Sequence, residues 1–186
     1  MGDSRAAGRS LRMTAGDIII LTGVSGVGKS TLAARLAADL KAPFVEADDH
    51  HLPASIAKMA QGIPLGDSDR WPWLDAVVAA ANAAAAGGGV VIACSALKLI
   101  YRDHLAEGCL TPPIFIHLHA PRNVIAGRLA ARADHFFDAS LLDSQMDTLE
   151  MPREDEIYRL IDANADIDSV YEAIRKALSC YPGWLP

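Results

Sequence analysis

Short apolar runs alternate along this chain with longer stretches in which apolar residues recur at helical spacing. DIIILT (17–22), with consecutive β-branched residues, predicts a strand buried on both faces, and STLAARLAADL after it predicts a helix. PFVEAD (43–48) reads as a second strand, and PASIAKMAQG (53–62) as a helix with Pro53 in its first turn and Gly62 at its end. GIPLGDSDRWPW (62–73), dense in Gly, Pro and Asp, predicts a loop before an alanine-rich helix that three glycines stop. VVIACSA (90–96) and IFIHLHA (114–120) predict two more strands, each followed by a helix: KLIYRDHLAEG and PRNVIAGRLAARA. SLLDSQMDTLE reads as helix, EIYRLIDA as a fifth strand and DIDSVYEAIRKALSCY as the closing helix. Strands alternating with helices imply βαβ units and a parallel sheet, so the expected architecture is one α/β domain over 17–186.

The first sixteen residues carry arginines and small residues without an apolar core segment, and are expected to be a disordered tail, not a secretory signal. No run is long enough to span a bilayer, so a cytoplasmic protein without membrane contact is expected. The net charge of −6 argues against a nucleic-acid partner, which calls for a basic face, but leaves room for a local basic pocket. Cys94, Cys109 and Cys180 are far apart and match neither a zinc site nor a disulfide framework.

Between the first strand and the first helix stands GVSGVGKST (23–31), a complete G-x-x-x-x-G-K-[ST] match. Its glycines let backbone N–H groups curl around phosphate oxygens, and the helix that follows adds its positive end. Gly23, Ser25, Gly26, Val27, Gly28, Lys29, Ser30 and Thr31 are the candidate nucleotide-binding residues. Lys29 would reach the β- and γ-phosphates, and the Ser30 hydroxyl would ligate Mg²⁺. Such a loop serves switches and kinases alike. A guanine-nucleotide switch would carry D-x-x-G after a strand and N-K-x-D later, and neither occurs here. With no guanine-reading motif, ATP is the expected nucleotide, and IDANAD (161–166) after the last strand is a plausible wall for adenine.

Further polar residues cluster at strand ends, where open parallel sheets bind ligands. EADDHHLP follows strand two, and KMAQGIPLGDSDRWPWL brings Lys58, Asp67, Asp69 and Arg70. SALKLIYRD brings Ser95, Lys98, Tyr101 and Arg102, and Arg128 and Arg132 stand four apart on one helix face. GVSGVGKS, Asp48 and His51 three apart, KMAQGIPLGDSDRWPWL, CSALKLIYRDHL, RLAARADHFF and LLDSQMDTLEMP together resemble the gluconokinase family of phosphate-loop kinases. The matching blocks run over about residues 18–152.

That resemblance implies a nucleotide-kinase-like fold with a mobile lid, a five-stranded parallel sheet flanked by helices, and transfer of the γ-phosphoryl of ATP to the 6-hydroxyl of D-gluconate. Homodimers are common in the family. The alternatives are a kinase of another small acceptor, such as a shikimate-like or other sugar-acid kinase, and a non-catalytic nucleotide sensor. Asp48 is the candidate for orienting and deprotonating the attacking hydroxyl, and for holding Mg²⁺ through water. Gluconate offers one carboxylate and a row of hydroxyls, and Arg70, with its planar fork, is the first candidate for the carboxylate. Arg102, Lys58 and His51 come next, with Ser95 and Lys98 in the same pocket. In this fold class one lid arginine stacks near adenine and another reaches the transferring phosphoryl, roles open to Arg128 and Arg132. His135 and Gln145 would touch substrate when the lid closes. His50 and His51 are adjacent and lack a suitably spaced third ligand, so Mg²⁺ bound with ATP is the one ion implied. The chain departs from the family pattern at Ser55, at Glu46 and at His50.

Overall fold

A computed structural model describes residues 13–131, 139–153 and 156–180. Five parallel strands, β1 (Ile18–Thr22), β2 (Phe44–Glu46), β3 (Val90–Ala93), β4 (Ile114–His119) and β5 (Tyr158–Asp162), form one sheet in the order β2-β3-β1-β4-β5. Among the described residues seven helices connect and flank them: α1 (Lys29–Leu40), α2 (Pro53–Ala60), α3 (Asp67–Ala85), α4 (Leu99–Gly108), α5 (Arg122–Ala130), α6 (Ala139–Thr148) and α7 (Ile167–Ser179). A 3₁₀ turn, Ala47–His50, continues from β2.

The two-residue period of the central strands decides where the cores lie. Ile19 and Leu21 of β1 point to one face, where they meet Leu32 and Leu36 of α1, Ile125 of α5, and Val170, Ile174 and Leu178 of α7. Ile18 and Ile20 point to the other, against Trp73, Leu74 and Val77 of α3 and Tyr101 and Leu105 of α4. All five residues of β1 are buried, which is why that segment reads as an unbroken apolar run instead of an alternating one.

The main departure from expectation is at 62–73. Residues 67–73 are helix, not loop: α3 begins at Asp67 and carries Pro72 inside it. Asp67 and Asp69 lie in the first turn, where carboxylates complement the helix dipole, and the Asp69 carboxylate accepts the Gly66 N–H at 3.0 Å. The early start matters because it places Arg70 on a rigid turn. The tail boundary also moves. Residues 13–16, expected as the end of a disordered tail, are tied down: Thr14 N and Oγ1 donate to Asp17 Oδ2, Gly16 N donates to Ala85 O at 2.9 Å, and Met13 packs on the core. Residues 1–12 lie outside the described residues, as does most of the expected lid between α5 and α6. Among the described residues no helix is long and apolar enough to cross a membrane.

Candidate active site

The phosphate loop turns from β1 into α1 through conformations that only glycine adopts freely. Gly23 has φ 131°, and a Cβ there would lie 2.5 Å from the carbonyl oxygen of Leu118. Gly28, at φ 108°, is the N-cap of α1, and no side chain caps that helix. Its first N–H groups are therefore left for a ligand, and the helix dipole selects an anion. The donor set fits a nucleotide phosphate. Lys29 Nζ donates to Val24 O at 3.1 Å, holding the ammonium over the loop, and Gly23 N donates to Ser95 O at 3.3 Å, fixing the loop to the end of β3.

β2 is separated from β1 by β3 alone, so its C-terminal end lies roughly 10 Å across the sheet from the start of the phosphate loop. The turn Ala47–His50 presents Asp48 there with 70% of its side chain exposed. Trp73 of α3 fastens this turn by donating Nε1–H to Ala47 O at 2.7 Å. His51 stacks on the same indole, ring centroids 4.5 Å apart, with Nε2 3.8 Å from Asp48 Oδ1. Burial lowers the pKa of His51, with Asp48 opposing and Arg70 adding to the shift, so the ring is neutral at pH 7. Cys94, at the end of β3, feels the charges of both Asp48 and Lys29, and burial pushes its thiol up to about 12. That thiol is core and not a nucleophile.

Beside this turn the first residues of α3 and α4 assemble three cations. Lys58 Nζ pairs with Asp69 Oδ1 at 2.6 Å, and Lys98 Nζ with Asp67 Oδ1 at 2.7 Å. Lys98 first and Tyr101 second hold the Asp67 carboxyl below the usual range; Lys58 and then the Gly66 N–H do so for Asp69. Both aspartates are therefore spoken for. Arg70, expected to bind an acceptor carboxylate, forms no ion pair among the described residues. Its hydrogen bond goes to the Tyr101 hydroxyl at 3.2 Å, and its guanidinium sits 5.5 Å from the centre of that ring. A planar fork with no carboxylate of its own thus stands on the acceptor side.

With that geometry in view, known proteins are informative. The family described as AAA domain matches residues 18–152. The chain is 43% identical over 168 residues to the thermosensitive gluconokinase of Escherichia coli, covering 88% of each chain. It is 45% identical over 159 residues to the thermoresistant gluconokinase of the same organism, covering 84% of this chain and 88% of that one. The chain belongs to the gluconokinase family. A crystal structure of a gluconokinase from Sinorhizobium meliloti superposes with a TM-score of 0.80 at 38% identity, covering 89% of this chain and 93% of that one.

Three residues expected to serve a gluconokinase's ligands have defined partners in the structure. Arg102 is a correction. It is 1% exposed, and its fork is closed on Glu156, Nε to Oε2 at 2.5 Å and Nη2 to Oε1 at 3.0 Å. Nη1 donates to the carbonyls of Ala96, Leu97 and Glu150. No face remains for substrate. Gln145 of α6 lies on the phosphate loop, with Oε1 accepting Ser25 N–H at 2.7 Å and Nε2 donating to Ser25 Oγ at 3.1 Å. Arg128 Nη2 donates to Ala163 O at 2.7 Å and Ala165 O at 2.9 Å, on the loop expected to wall the base. Arg132 and His135 lie outside the described residues. Ser95 is half-buried at the end of β3, and Ser30 and Thr31 are exposed at the start of α1.

Sequence reading passed over His117. It is fully buried on β4, its Nδ1 2.9 Å from Thr22 Oγ1 across the β1–β4 pair, and its Nε2 has no partner among the described residues. A histidine inside the apolar run IFIHLHA, in register with the lone threonine ending DIIILT, is the signal that could have found it. Burial pushes its pKa down to about 4, helped by Arg102, His119 and Lys29 and opposed by Glu156. The unfolded chain takes up this proton near pH 6.5 and the folded one near 4. The neutral ring therefore stabilises the fold above pH 6.5, and that stability falls away as pH drops toward 4. Urea titrations at pH 7 and pH 5 should show a smaller loss for His117→Gln than for the parent chain. Equal losses would remove His117 as a source of acid sensitivity.

Proposed function

We propose that this chain transfers the γ-phosphoryl group of ATP to the 6-hydroxyl of D-gluconate, giving 6-phospho-D-gluconate and ADP. The observation that carries the acceptor side is the Arg70 guanidinium, presented on a helical turn without a carboxylate partner while both neighbouring aspartates are paired to lysines. A bidentate pair with the gluconate carboxylate would seat the far end of the acceptor and leave the chain of hydroxyls to reach toward Asp48. Lys58, Lys98, Ser95 and His51 supply the surrounding polar groups. Asp48 accepts the proton of the attacking hydroxyl, and its exposed carboxylate is open to that approach.

On the nucleotide side, the uncapped N–H groups at the start of α1, from Gly28 to Thr31, and the Lys29 ammonium bind the phosphates. Mg²⁺ fits this donor set as a hard cation shared between nucleotide and protein, with the Ser30 hydroxyl and Asp48, directly or through water, as its protein ligands. Bound there, Mg²⁺ would neutralise charge developing on the transferring group. Gln145 orients the phosphate loop through Ser25, Arg128 supports the wall beside the base, and Arg132 takes the transferring phosphoryl. With Cys94, Cys109 and Cys180 all free, the chain suits a reducing compartment, and we place it in the cytoplasm.

The test is ADP release from Mg-ATP without acceptor, with D-gluconate, and with shikimate, glycerate and nucleoside monophosphates. Stimulation by gluconate above all others is expected. Stimulation by a different acceptor would move the assignment to another small-molecule kinase, and none at all despite ATP binding would leave a nucleotide sensor. Arg70→Lys should raise KM for gluconate at least tenfold while changing KM for ATP less than twofold, since an ammonium cannot reproduce the fork. Equal changes in both would return Arg70 to a purely structural role.

A further inference from the structure

Tyr101 occupies a position that the chemistry above leaves unexplained. It is 2% exposed, in the first turn of α4, yet its hydroxyl is not idle. The phenol donates to Asp67 Oδ1, the same oxygen that accepts Lys98 Nζ, and it accepts from Arg70 Nη1 at 3.2 Å. The ring lies 5.5 Å below both Lys98 Nζ and the Arg70 guanidinium, and Trp71 closes its edge with centroids 5.7 Å apart. One phenol and one carboxylate thus join two cations, one from the start of α3 and one from the residue that precedes α4.

We propose that the Tyr101–Asp67 pair is the positioning element that sets the spacing of Arg70 and Lys98, and with it the fit of the site to a carboxylate-bearing polyhydroxy acceptor. This deepens, and rests on, the reading that Arg70 takes the acceptor carboxylate. Three constraints support it. The Tyr101 hydroxyl oxygen spends its proton on Asp67, which leaves its lone pairs as the acceptor for Arg70 and so fixes the direction of the guanidinium plane. Asp67, as the first residue of α3, cannot shift without moving Arg70 three residues later on the same turn. Lys98 precedes α4 on a short loop, and its bond to Asp67 and its seat over the ring hold a flexible side chain in one place. A hydroxyl lost from this node would leave both cations present but no longer registered against each other.

Tyr101→Phe keeps the ring, its packing and both cation–ring contacts, and removes the hydroxyl alone. The expected result is a KM for gluconate raised roughly 5- to 30-fold, with KM for ATP and the thermal midpoint little changed. In an Arg70→Ala background the same substitution should have almost no further effect on KM for gluconate, because the residue it directs is gone. Asp67→Asn provides a second route to the node and should raise KM for gluconate in the same sense if Tyr101→Phe does not fold. Should Arg70→Ala raise KM for gluconate while Tyr101→Phe and Asp67→Asn leave it unchanged, or should the two effects add in full, the positioning role is overturned and the carboxylate reading stands. Should Arg70→Ala itself leave KM for gluconate unchanged, the carboxylate reading fails and the node with it. Equal rises in KM for gluconate and for ATP would mark Tyr101 as packing only.

Discussion

Asp48→Asn is expected to lower kcat roughly 10²–10⁴-fold, the range for losing a general base, while the protein folds normally and binds ATP. The fold should be indifferent because the Asp48 side chain is exposed and makes no hydrogen bond to the core among the described residues. What holds the turn is the backbone, through the Trp73 indole on Ala47 O and the His51 N–H donating to Asp48 O at 3.3 Å. The amide is nearly isosteric with the carboxylate but neither accepts a proton at neutral pH nor brings a negative charge to Mg²⁺. A change in kcat with KM for gluconate held within a few-fold identifies an interaction realised in the transition state. The neutral, stacked His51 beside it cannot substitute, since its ring is held 3.8 Å away and its Nδ1 is enclosed. A fall in kcat of under threefold in a folded, ATP-binding variant would take Asp48 out of the chemistry.

Much of this architecture is legible before any coordinates, and the reason is local. β1, β3 and β4 are buried on both faces, so each shows as a continuous apolar run, and the glycine pattern of 23–28 declares its phosphate-binding turn by spacing alone. The start of α3 was not legible, because Gly66, Pro72 and the two aspartates carry the composition of a loop while acting as cap, tolerated helix proline and dipole partners. The acceptor side was legible as a set of residues but not as a division of labour. Arg70 and Arg102 look alike in sequence, each flanked by an acidic and an aromatic residue. What separates them is tertiary: Glu156 lies 54 residues from Arg102 and closes its fork, whereas the aspartates near Arg70 are taken by Lys58 and Lys98. Gln145 likewise reaches Ser25 across 120 residues, a contact no local pattern announces.

That same closure makes Arg102→Met the substitution expected to cost the fold most, about 3–5 kcal/mol at pH 7. Arg102 joins three segments: it pairs with Glu156, binds the carbonyls of Ala96 and Leu97 ahead of α4, and holds Glu150 O beyond α6. Ala96 has φ 37°, a left-handed conformation unusual for a residue with a Cβ, so the loop it bends is one that depends on outside support. Methionine fills much of the volume but satisfies none of those acceptors, and it leaves Glu156, with 8% of its side chain exposed, without the guanidinium that pairs with it. The pH dependence separates this cause from lost packing. In the parent chain burial tends to raise the Glu156 pKa, but Arg102 and the Arg153 N–H outweigh it and hold the group below 4.5. A depressed carboxylate stabilises the fold above that value and ceases to do so as pH falls through the folded pKa. Without Arg102, burial dominates and the folded pKa rises above 4.5, so the variant regains stability as pH falls through that raised value. The gap between the two proteins should therefore narrow from pH 7 to pH 5 in urea denaturation, and Arg102→Met with Glu156→Gln should recover part of the loss at pH 7. A gap that is the same at both pH values, with no recovery in the double variant, would assign the cost to packing and not to a stranded charge.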